Sequence, residues 1–386
     1  MYIGALSTNP IHMEKLVLFL FTILSIPFAF NQQISATVDV GGVTRDYIYY
    51  EPAIYEGSTP VPVLFVFHGL GDQASNMAQA GFNQISDTAN FIPVYMQGTL
   101  NIASQPAWNN GTLLGSTSDD LGFIAQVLDS IQTWYNIDSD AIYACGFSMG
   151  GIMSHHLYCS NDEFDAIGSV GGPMSTSDIS GCSRTNPSRV VHIHGTADAT
   201  VPYDAGALPS LSLVPETLDF WKGYGNFQDS SICRITDAAA DNITIDWIQY
   251  NTGNANQELE HYRMNGADHI WPIPGTNDIW AAKVIWNFVN GQSTGYGCAS
   301  ILGIEEQVQA FNTTIYPNPS IDHFTLESDA EINTIELISF DGKMIQIING
   351  LKTNQHILSA SKLNQGVYFL KIKTDKGQQI KKFIKN

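Results

Sequence analysis

The chain has 386 residues, with 17 Lys and Arg against 37 Asp and Glu, so its formal charge is -20. A chain this acidic repels polyanions, which argues against a nucleic-acid partner. Hydrophobic residues make up 44% of the sequence, which is enough for a large core and does not fit a disordered or collagenous chain. The length predicts two or three folded units.

The first predicted element is the apolar run over residues 16–30. It is too short for a comfortable membrane span and lies where a secretory signal belongs. We therefore predict a signal peptide over residues 1–30 and export of the mature protein. An N-terminal anchor or a buried helix is the alternative interpretation.

Residues 31–298 alternate apolar strand patterns with amphipathic helical patterns. The predicted strands are residues 61–67, 142–145, 166–170, 190–193 and 258–264. The predicted helices are residues 121–135, with Asp119 or Asp120 as N-cap, and residues 149–158, 214–224 and 278–289. This alternation indicates an α/β domain whose mostly parallel sheet is covered on both faces. Functional groups of such sheets collect at the C-terminal ends of the strands.

Export makes the five cysteines informative. Cys145 ends an apolar strand pattern, where a buried free thiol is expected. The other four cysteines allow three pairings, and proximity in sequence favours Cys159 with Cys182 and hence Cys233 with Cys298. None of them has metal-ligand spacing.

Ser148 is the candidate nucleophile. It lies in the segment Gly146-Phe147-Ser148-Met149-Gly150, between a predicted buried strand and a predicted helix. A nucleophile elbow requires this context, because the turn is so tight that the flanking positions must lack side chains. The strand-turn-helix setting, more than the G-x-S-x-G string, indicates a serine hydrolase.

A serine hydroxyl needs a base to take its proton and an acid to orient that base. In this fold the acid precedes the histidine along the chain, as Asp198 precedes His269, and each follows a predicted strand. Asp204 and Asp268 are the nearest rivals for the acid, but Asp268 is adjacent to His269 and poorly placed to reach its ring.

Two alternating histidines, His192 and His194, suggest a metal site, but no third ligand is evident, so we predict structural roles for them and no metal. The oxyanion of an acyl-transfer intermediate needs two backbone donors, and we assign them to the N–H groups of Leu70 and Met149. Trp108 and Trp271 are candidate substrate contacts, with buried packing as the alternative.

Five ordered segments together resemble the polyhydroxybutyrate depolymerase family of esterases, which is similar to the feruloyl and acetylxylan esterases of carbohydrate esterase family one. The segments are residues 67–72 (FHGLGD), 118–124 (SDDLGFI), 142–151 (IYACGFSMGG), 194–203 (HGTADATVPY) and 266–272 (GADHIWP). The resemblance implies an α/β-hydrolase fold and a triad of Ser148, Asp198 and His269. It does not select a substrate.

The tail, residues 312–386, has nine Lys and seven acidic residues and is therefore +2, whereas the preceding 311 residues are -22. Residues 299–311 between them read as a linker. Alternating patterns over residues 334–339 and 367–373, with an Asp341-Gly342 turn, predict antiparallel strands.

The tail resembles the C-terminal sorting domain of the type IX (Por) secretion system, through the segments at residues 315–320 (IYPNPS), 366–372 (GVYFLKI) and 381–385 (KKFIK). The resemblance implies a small β-sandwich that directs export across the outer membrane, with the secretion machinery as its partner. A substrate-binding β-sandwich is the alternative interpretation.

We therefore predict a secreted or cell-surface serine esterase, monomeric and without cofactor, that hydrolyses carboxylic esters. The predicted substrate is a polymer, such as a polyhydroxyalkanoate or another polyester. Feruloyl or acetylxylan esterase activity on plant polysaccharide is the first alternative. A serine peptidase and a non-catalytic surface binding protein are more distant alternatives.

Overall fold

A computed structural model describes residues 32–239, 241–252, 258–293, 295–298, 312–339 and 344–386. The chain divides into two compact units between Ala299 and Ser300. The predicted signal peptide, the predicted linker and the predicted Asp341-Gly342 turn lie outside the described residues. Among the described residues, no helix is long and apolar enough to cross a membrane.

The first unit contains strands β1 to β12 and seven helices within its described residues. The strands are β1 (Gln33–Val40), β2 (Val43–Tyr50), β3 (Val61–Phe67), β4 (Ile92–Met96), β5 (Thr99–Leu100), β6 (Pro106–Ala107), β7 (Ile137–Phe147), β8 (Ala166–Val170), β9 (Arg189–Gly195), β10 (Asp229–Arg234), β11 (Thr244–Asn251) and β12 (Glu258–Asn265). The helices are α1 (Ala74–Met77), α2 (Phe82–Ala89), α3 (Asp120–Trp134), α4 (Met149–Ser160), α5 (Thr176–Gly181), α6 (Val214–Gly225) and α7 (Ala281–Val289).

Ten of these strands form one sheet in the order β1-β2-β4-β3-β7-β8-β9-β12-β11-β10. The six strands from β4 to β12 in that order are parallel. Antiparallel strands extend the sheet at both edges. The predicted α/β class and mostly parallel sheet are confirmed. The antiparallel additions, β4, and the short helices α1, α2 and α5 were not predicted.

Strand β3 shows how the sheet is buried on both faces. Val63, Phe65 and Phe67 belong to one core cluster, whereas Leu64 and Val66 belong to the other. This division follows from the alternation of side chains along a strand. Helices α3, α4 and α6 supply the first cluster, and α1, α2 and α7 supply the second. The sheet therefore has helices on both faces, as its continuous apolar strands require.

Two disulfides brace the first unit. Cys159 at the end of α4 is bonded to Cys182, and Cys233 in β10 is bonded to Cys298. Cys145 is free and buried. The predicted pairing and the predicted free thiol are confirmed. Closing loops of 23 and 65 residues stabilises the folded state by about 3 to 4 kcal/mol each in the chain-entropy model.

The second unit is all β within its described residues. Its strands are β13 (Thr313–Tyr316), β14 (His323–Ser339), β15 (Met344–Ser359), β16 (Gly366–Thr374) and β17 (Gly377–Lys385), and all their pairings are antiparallel. The first part of β14 pairs with β13 and its last part with β16. Phe324 of β14 packs against Phe383 of β17, with ring centroids 4.0 Å apart. The all-β tail is confirmed.

Candidate active site

Ser148 occupies a strained turn between β7 and α4. Its backbone has φ 56° and ψ -121°, a conformation that costs a non-glycine residue free energy. The Ser148 N–H donates to the carbonyl of Val170 at 2.7 Å, which ties the turn to β8. A Cβ at Gly150 would lie 2.1 Å from the Phe67 oxygen, and one at Gly146 would lie 2.3 Å from Gly150. Both positions therefore require glycine, as a nucleophile elbow does.

His269 and Asp198 meet at the ends of adjacent strands. His269 follows β12, Asp198 follows β9, and these two strands pair in parallel. The His269 Nδ1 lies 2.6 Å from the Asp198 Oδ2. Because a carboxylate can only accept, Nδ1 carries the hydrogen and Nε2 is left with a lone pair. The ring is thereby in the tautomer that a general base for a serine hydroxyl needs.

Asp198 is a buried carboxylate held by several donors. Its Oδ1 accepts from the N–H groups of Thr200 and Val201 at 2.9 and 2.7 Å. Burial raises the pKa of this carboxyl, but the hydrogen bonds from His194, His269 and the Val201 N–H outweigh it and hold the pKa well below its usual range. The Asp198 side chain is therefore ionised at neutral pH in the folded protein. Its negative charge stabilises a positive charge on His269.

The two alternative candidates for the acid, Asp268 and Asp204, lie in surroundings that differ from those of Asp198. The Oδ1 of Asp268 accepts from the N–H of Ala199 at 3.0 Å and from the N–H of His269 at 2.8 Å. Asp268 thus fastens the histidine loop to the acid loop through backbone groups, and its carboxylate is not the one paired with the imidazole. Asp204 is exposed.

The loop after β3 orients a peptide unit beside Ser148. The His68 Nε2 accepts the Gly98 N–H at 2.9 Å, so the ring hydrogen is on Nδ1, which lies 2.7 Å from the Gly69 oxygen. The C=O and N–H of a trans peptide point in opposite directions. The bond from His68 to the Gly69 carbonyl therefore turns the Leu70 N–H away from His68. The sequence pattern assigned the Leu70 N–H as an oxyanion donor but gave the His68 side chain no role.

The two assigned oxyanion donors border the same space. Leu70 and Met149 both line the cavity that Ser148 and His269 line. Met149 is the first residue of α4, where an N–H has no partner in its own helix and the helix dipole favours negative charge. Within the described part of the chain, neither N–H donates a hydrogen bond to a protein acceptor. Both donors are thus free to bind an oxyanion.

The cavity has a volume of about 520 Å³ and walls that are mostly apolar. Its lining residues are Gly69, Leu70, Asp72, Thr112, Leu113, Leu114, Phe147, Ser148, Met149, Ile152, Thr200, Val201, Leu208, Pro209, Leu211 and His269. Among these lining residues, Asp72 is the one acidic residue, and there is no Lys or Arg. The cavity therefore suits an uncharged ligand with apolar parts.

The two tryptophans do not line this cavity. Trp108 is fully buried, its indole N–H donates to the His68 carbonyl at 2.8 Å, and its ring packs on Phe67. The prediction that Trp108 contacts substrate is wrong, because neither face of its ring is open to a ligand. Trp271 is partly exposed and packs edge-on against Phe147, whose ring lies 4.8 Å from the His269 ring. A substrate contact by Trp271 stays a prediction.

Comparison with known proteins gives two family matches. Residues 51–214 match the family described as Phospholipase/Carboxylesterase, a stretch that includes Ser148 and Asp198 but ends before His269. Residues 314–386 match the secretion system C-terminal sorting domain.

Three relatives illustrate the similarity in sequence. The chain is 29% identical over 259 residues to the bifunctional acetylxylan esterase/xylanase XynS20E of Neocallimastix patriciarum, covering 64% of this chain and 33% of that protein. It is 31% identical over 176 residues to the putative esterase NocK of Nocardia uniformis subsp. tsuyamanensis, covering 43% and 49%. It is 29% identical over 169 residues to the probable feruloyl esterase C of Aspergillus niger, covering 42% and 58%. The matches thus span between a third and just over half of these relatives' lengths.

Among solved structures, the chain is similar to the acetyl xylan esterase from Aspergillus awamori, with a TM-score of 0.44 and 16% identity over 63% of this chain and 96% of that one. It is also similar to a ferulic acid esterase from Anaeromyces mucronatus, with a TM-score of 0.42 and 16% identity over 67% and 89%. The chain is therefore similar to the phospholipase/carboxylesterase family over residues 51–214 and to the secretion system C-terminal sorting domains over residues 314–386.

Proposed function

We propose that this protein is a serine carboxylic ester hydrolase in which Ser148 is the nucleophile, His269 the general base and Asp198 the residue that orients the base. One observation carries the proposal: the 2.6 Å contact from the His269 Nδ1 to the Asp198 Oδ2 lies at a cavity shared with Ser148, whose backbone is strained at φ 56°. A carboxylate-bound imidazole beside an elbow serine is an arrangement for acyl transfer.

The reaction would follow the two-step course of serine hydrolases. The Ser148 hydroxyl oxygen attacks the ester carbonyl while the His269 Nε2 takes its proton, and the same nitrogen then protonates the departing alcohol. The N–H groups of Leu70 and Met149 bind the oxyanion, a contribution of about 10²- to 10³-fold in kcat for each donor in such sites. Water then attacks the carbonyl of the acyl-serine while the His269 Nε2 takes its proton. The same nitrogen returns that proton to the Ser148 oxygen as the carboxylic acid is released.

The walls of the cavity support an apolar ester as substrate. Leu113 and Leu208 are 71% and 40% exposed although they line the cavity, so apolar surface continues from the pocket onto its mouth. The neighbouring loop presents Ile102, which is 93% exposed, and Asn101 of this loop donates to the Leu114 carbonyl at 2.7 Å. Exposed apolar surface at the mouth favours a water-insoluble polymer such as a polyester.

Plant polysaccharide esters are the second candidate. The names of the relatives, acetylxylan esterase and feruloyl esterase, favour them. A panel of polyhydroxyalkanoate, another polyester, feruloylated xylan and acetylated xylan, assayed with the purified mature enzyme, separates the candidates by which acid is released.

Replacing Ser148 tests the proposed function most directly. Ser148→Ala removes the attacking oxygen and leaves the backbone of the elbow, so the variant should unfold like the wild type yet lose p-nitrophenyl ester hydrolysis. A fluorophosphonate should label the wild type at Ser148 and leave the variant unlabelled. Hydrolysis by Ser148→Ala near the wild-type rate would refute the assignment, since nothing else in the proposed mechanism supplies the nucleophile.

The tail is proposed to act in export through the type IX secretion machinery, across the periplasm and outer membrane. The sorting-domain match and the two disulfides of the first unit both fit a protein at or beyond the cell surface. Deleting residues 312–386 should block export, so that the active esterase accumulates inside the producing cell. Esterase assays of the cell and medium fractions measure this distribution. A substrate-binding tail would instead leave secretion unchanged and weaken adsorption to polymer.

A further inference from the structure

A buried histidine of β9, His194, contacts the same carboxylate oxygen of the proposed catalytic acid as the base does. The side chain of His194 is fully buried, and its Nε2 lies 2.9 Å from the Val201 oxygen and 3.2 Å from the Asp198 Oδ2. Both neighbours are acceptors, so Nε2 carries a hydrogen, which it donates to the Val201 oxygen and shares with the Asp198 Oδ2. The same Oδ2 is bound by His269. One carboxylate oxygen is therefore shared by two imidazole rings, only one of which borders the cavity.

The ring of His194 is itself held in place. Its Nδ1 lies 3.2 Å from the Nε2 of His192, and the two rings stack with centroids 5.3 Å apart. His192 is buried, and its carbonyl binds the Nδ1 of His261 at 3.0 Å. Burial holds the pKa of His192 well below its usual range. His194 is thus a fixed donor projecting from the rigid centre of the sheet, and not from a loop.

Asp198, in contrast, lies in the loop that follows β9. Its Oδ1 is fixed by the two backbone N–H groups of that same loop. Those bonds set the position of one oxygen, but the carboxylate plane can still turn about them. A donor from the sheet to the second oxygen removes that freedom. Precise orientation matters here, because the Oδ2 must meet the Nδ1–H of His269 for the ring to keep its tautomer.

We propose that His194 is a positioning residue for the proposed ester hydrolysis, since its Nε2–H, shared between the Val201 carbonyl and the Asp198 Oδ2, holds that oxygen where it binds His269. The inference rests on the proposed function and adds to it a fourth side chain outside the triad. Sequence reasoning assigned His194 only a structural role. Its contact with the acid distinguishes it from the other buried histidines of this core.

The test compares two substitutions at this position in the full chain. His194→Phe keeps an aromatic ring and removes the donor, and we expect kcat for p-nitrophenyl butyrate to fall by about 10- to 100-fold, with KM within about twofold of the wild type. His194→Gln places an amide N–H near the former Nε2 and should keep kcat within about fivefold of the wild type.

His155→Phe is the matched control. His155 is also fully buried, and it stacks on Trp221 with ring centroids 6.0 Å apart, but it has no contact with Asp198. The control makes the same chemical change in the same core and should leave kcat unchanged. A fall in kcat for His194→Phe that the control shares equally would mark a general packing effect and overturn the proposal.

Two further outcomes are decisive. A wild-type kcat in folded His194→Phe, or a kcat in folded His194→Gln as low as in His194→Phe, would overturn the positioning role. If His194→Phe does not fold, His194→Asn replaces it, because the shorter amide cannot reach Asp198 and should lose kcat where the glutamine keeps it. Ser148→Ala, assayed in parallel, distinguishes a failure of the proposed function from a failure of the inference about His194. Activity in Ser148→Ala would refute the proposed function. An inactive Ser148→Ala together with a wild-type kcat in His194→Phe would refute only the role of His194.

Discussion

Two sets of residues around the cavity, which we call its first and second sides, are built differently. The first side consists of Ser148, the Gly69–Leu70 peptide and the pair of Asp198 and His269, all fixed by hydrogen bonds at the ends of the parallel strands. The second side consists of Leu113, Leu114, Leu208 and Pro209, which reach the cavity from connections between elements. All three leucines are at least 40% exposed.

The first side therefore supplies the reactive groups, and the second side supplies the surface that selects the substrate. Groups that move a proton or bind an oxyanion must stay within a few tenths of an ångström of their positions, which strand ends and buried hydrogen bonds provide. Groups that select an apolar substrate need area more than precise angles, and loops supply area that can change without disturbing the sheet. Substitutions on the first side should therefore lower kcat, whereas substitutions on the second should raise KM.

His68→Phe disrupts the first side of the cavity and should have a larger kinetic effect than the leucine substitutions on the second side. The variant loses the donor that turns the Gly69 carbonyl, so the Leu70 N–H is no longer held toward the oxyanion. We expect kcat for p-nitrophenyl butyrate to fall by about 100-fold, with KM within a few-fold of the wild type. Steady-state kinetics of the purified variant measure both parameters.

His68→Asn is the companion variant, because its amide nitrogen falls near the former Nδ1 and can still donate to Gly69. It should recover most of the lost kcat. Burial lowers the pKa of His68, so its ring is neutral and the substitution to Asn changes no charge. Equal losses of kcat in both folded variants would show that His68 contributes packing and not the orientation of the peptide.

The sheet and the elbow were predictable because their causes are local. Strand β3 reads as a strand because both its faces are buried, and Gly146 is required by the close approach of Gly150 within one turn. Strand β10 was not predictable, since most of its residues are exposed and it forms by pairing with β11. Its stability comes from the partner strand, which its own sequence does not reveal.

The sequence pattern indicated the three residues of the proposed triad, which the structure brings together, but not the side chains that hold them in place. Trp108 was misjudged because nothing in its neighbourhood shows which way its side chain points. The roles of His68 and His194 depend on partners brought close by folding, such as the Gly98 N–H thirty residues from His68. A signal did exist, since each of these histidines stands before a glycine at the end of a buried strand, where a side chain meets the active-site edge of the sheet.

Leu113→Ser and Leu208→Ser test the second side and should have the smaller effect. Both side chains are partly exposed, so their loss should change the free energy of unfolding by less than about 1 kcal/mol. Losing part of the apolar contact with a long acyl chain should raise KM for p-nitrophenyl octanoate by about three- to tenfold. KM for p-nitrophenyl acetate should change less, because its acyl chain is too short to cover these leucines.

Ile232→Ser is the control for this pair. Ile232 is 62% exposed on the edge strand β10 and does not line the cavity, so the same type of change there should leave both KM values as they are. The test depends on the ratio between the fold-change in KM for p-nitrophenyl octanoate and the fold-change in KM for p-nitrophenyl acetate. If Leu113→Ser and Leu208→Ser lower kcat for both esters and leave that ratio near one, the apolar side also supports the chemistry, and the division between the two sides of the cavity fails.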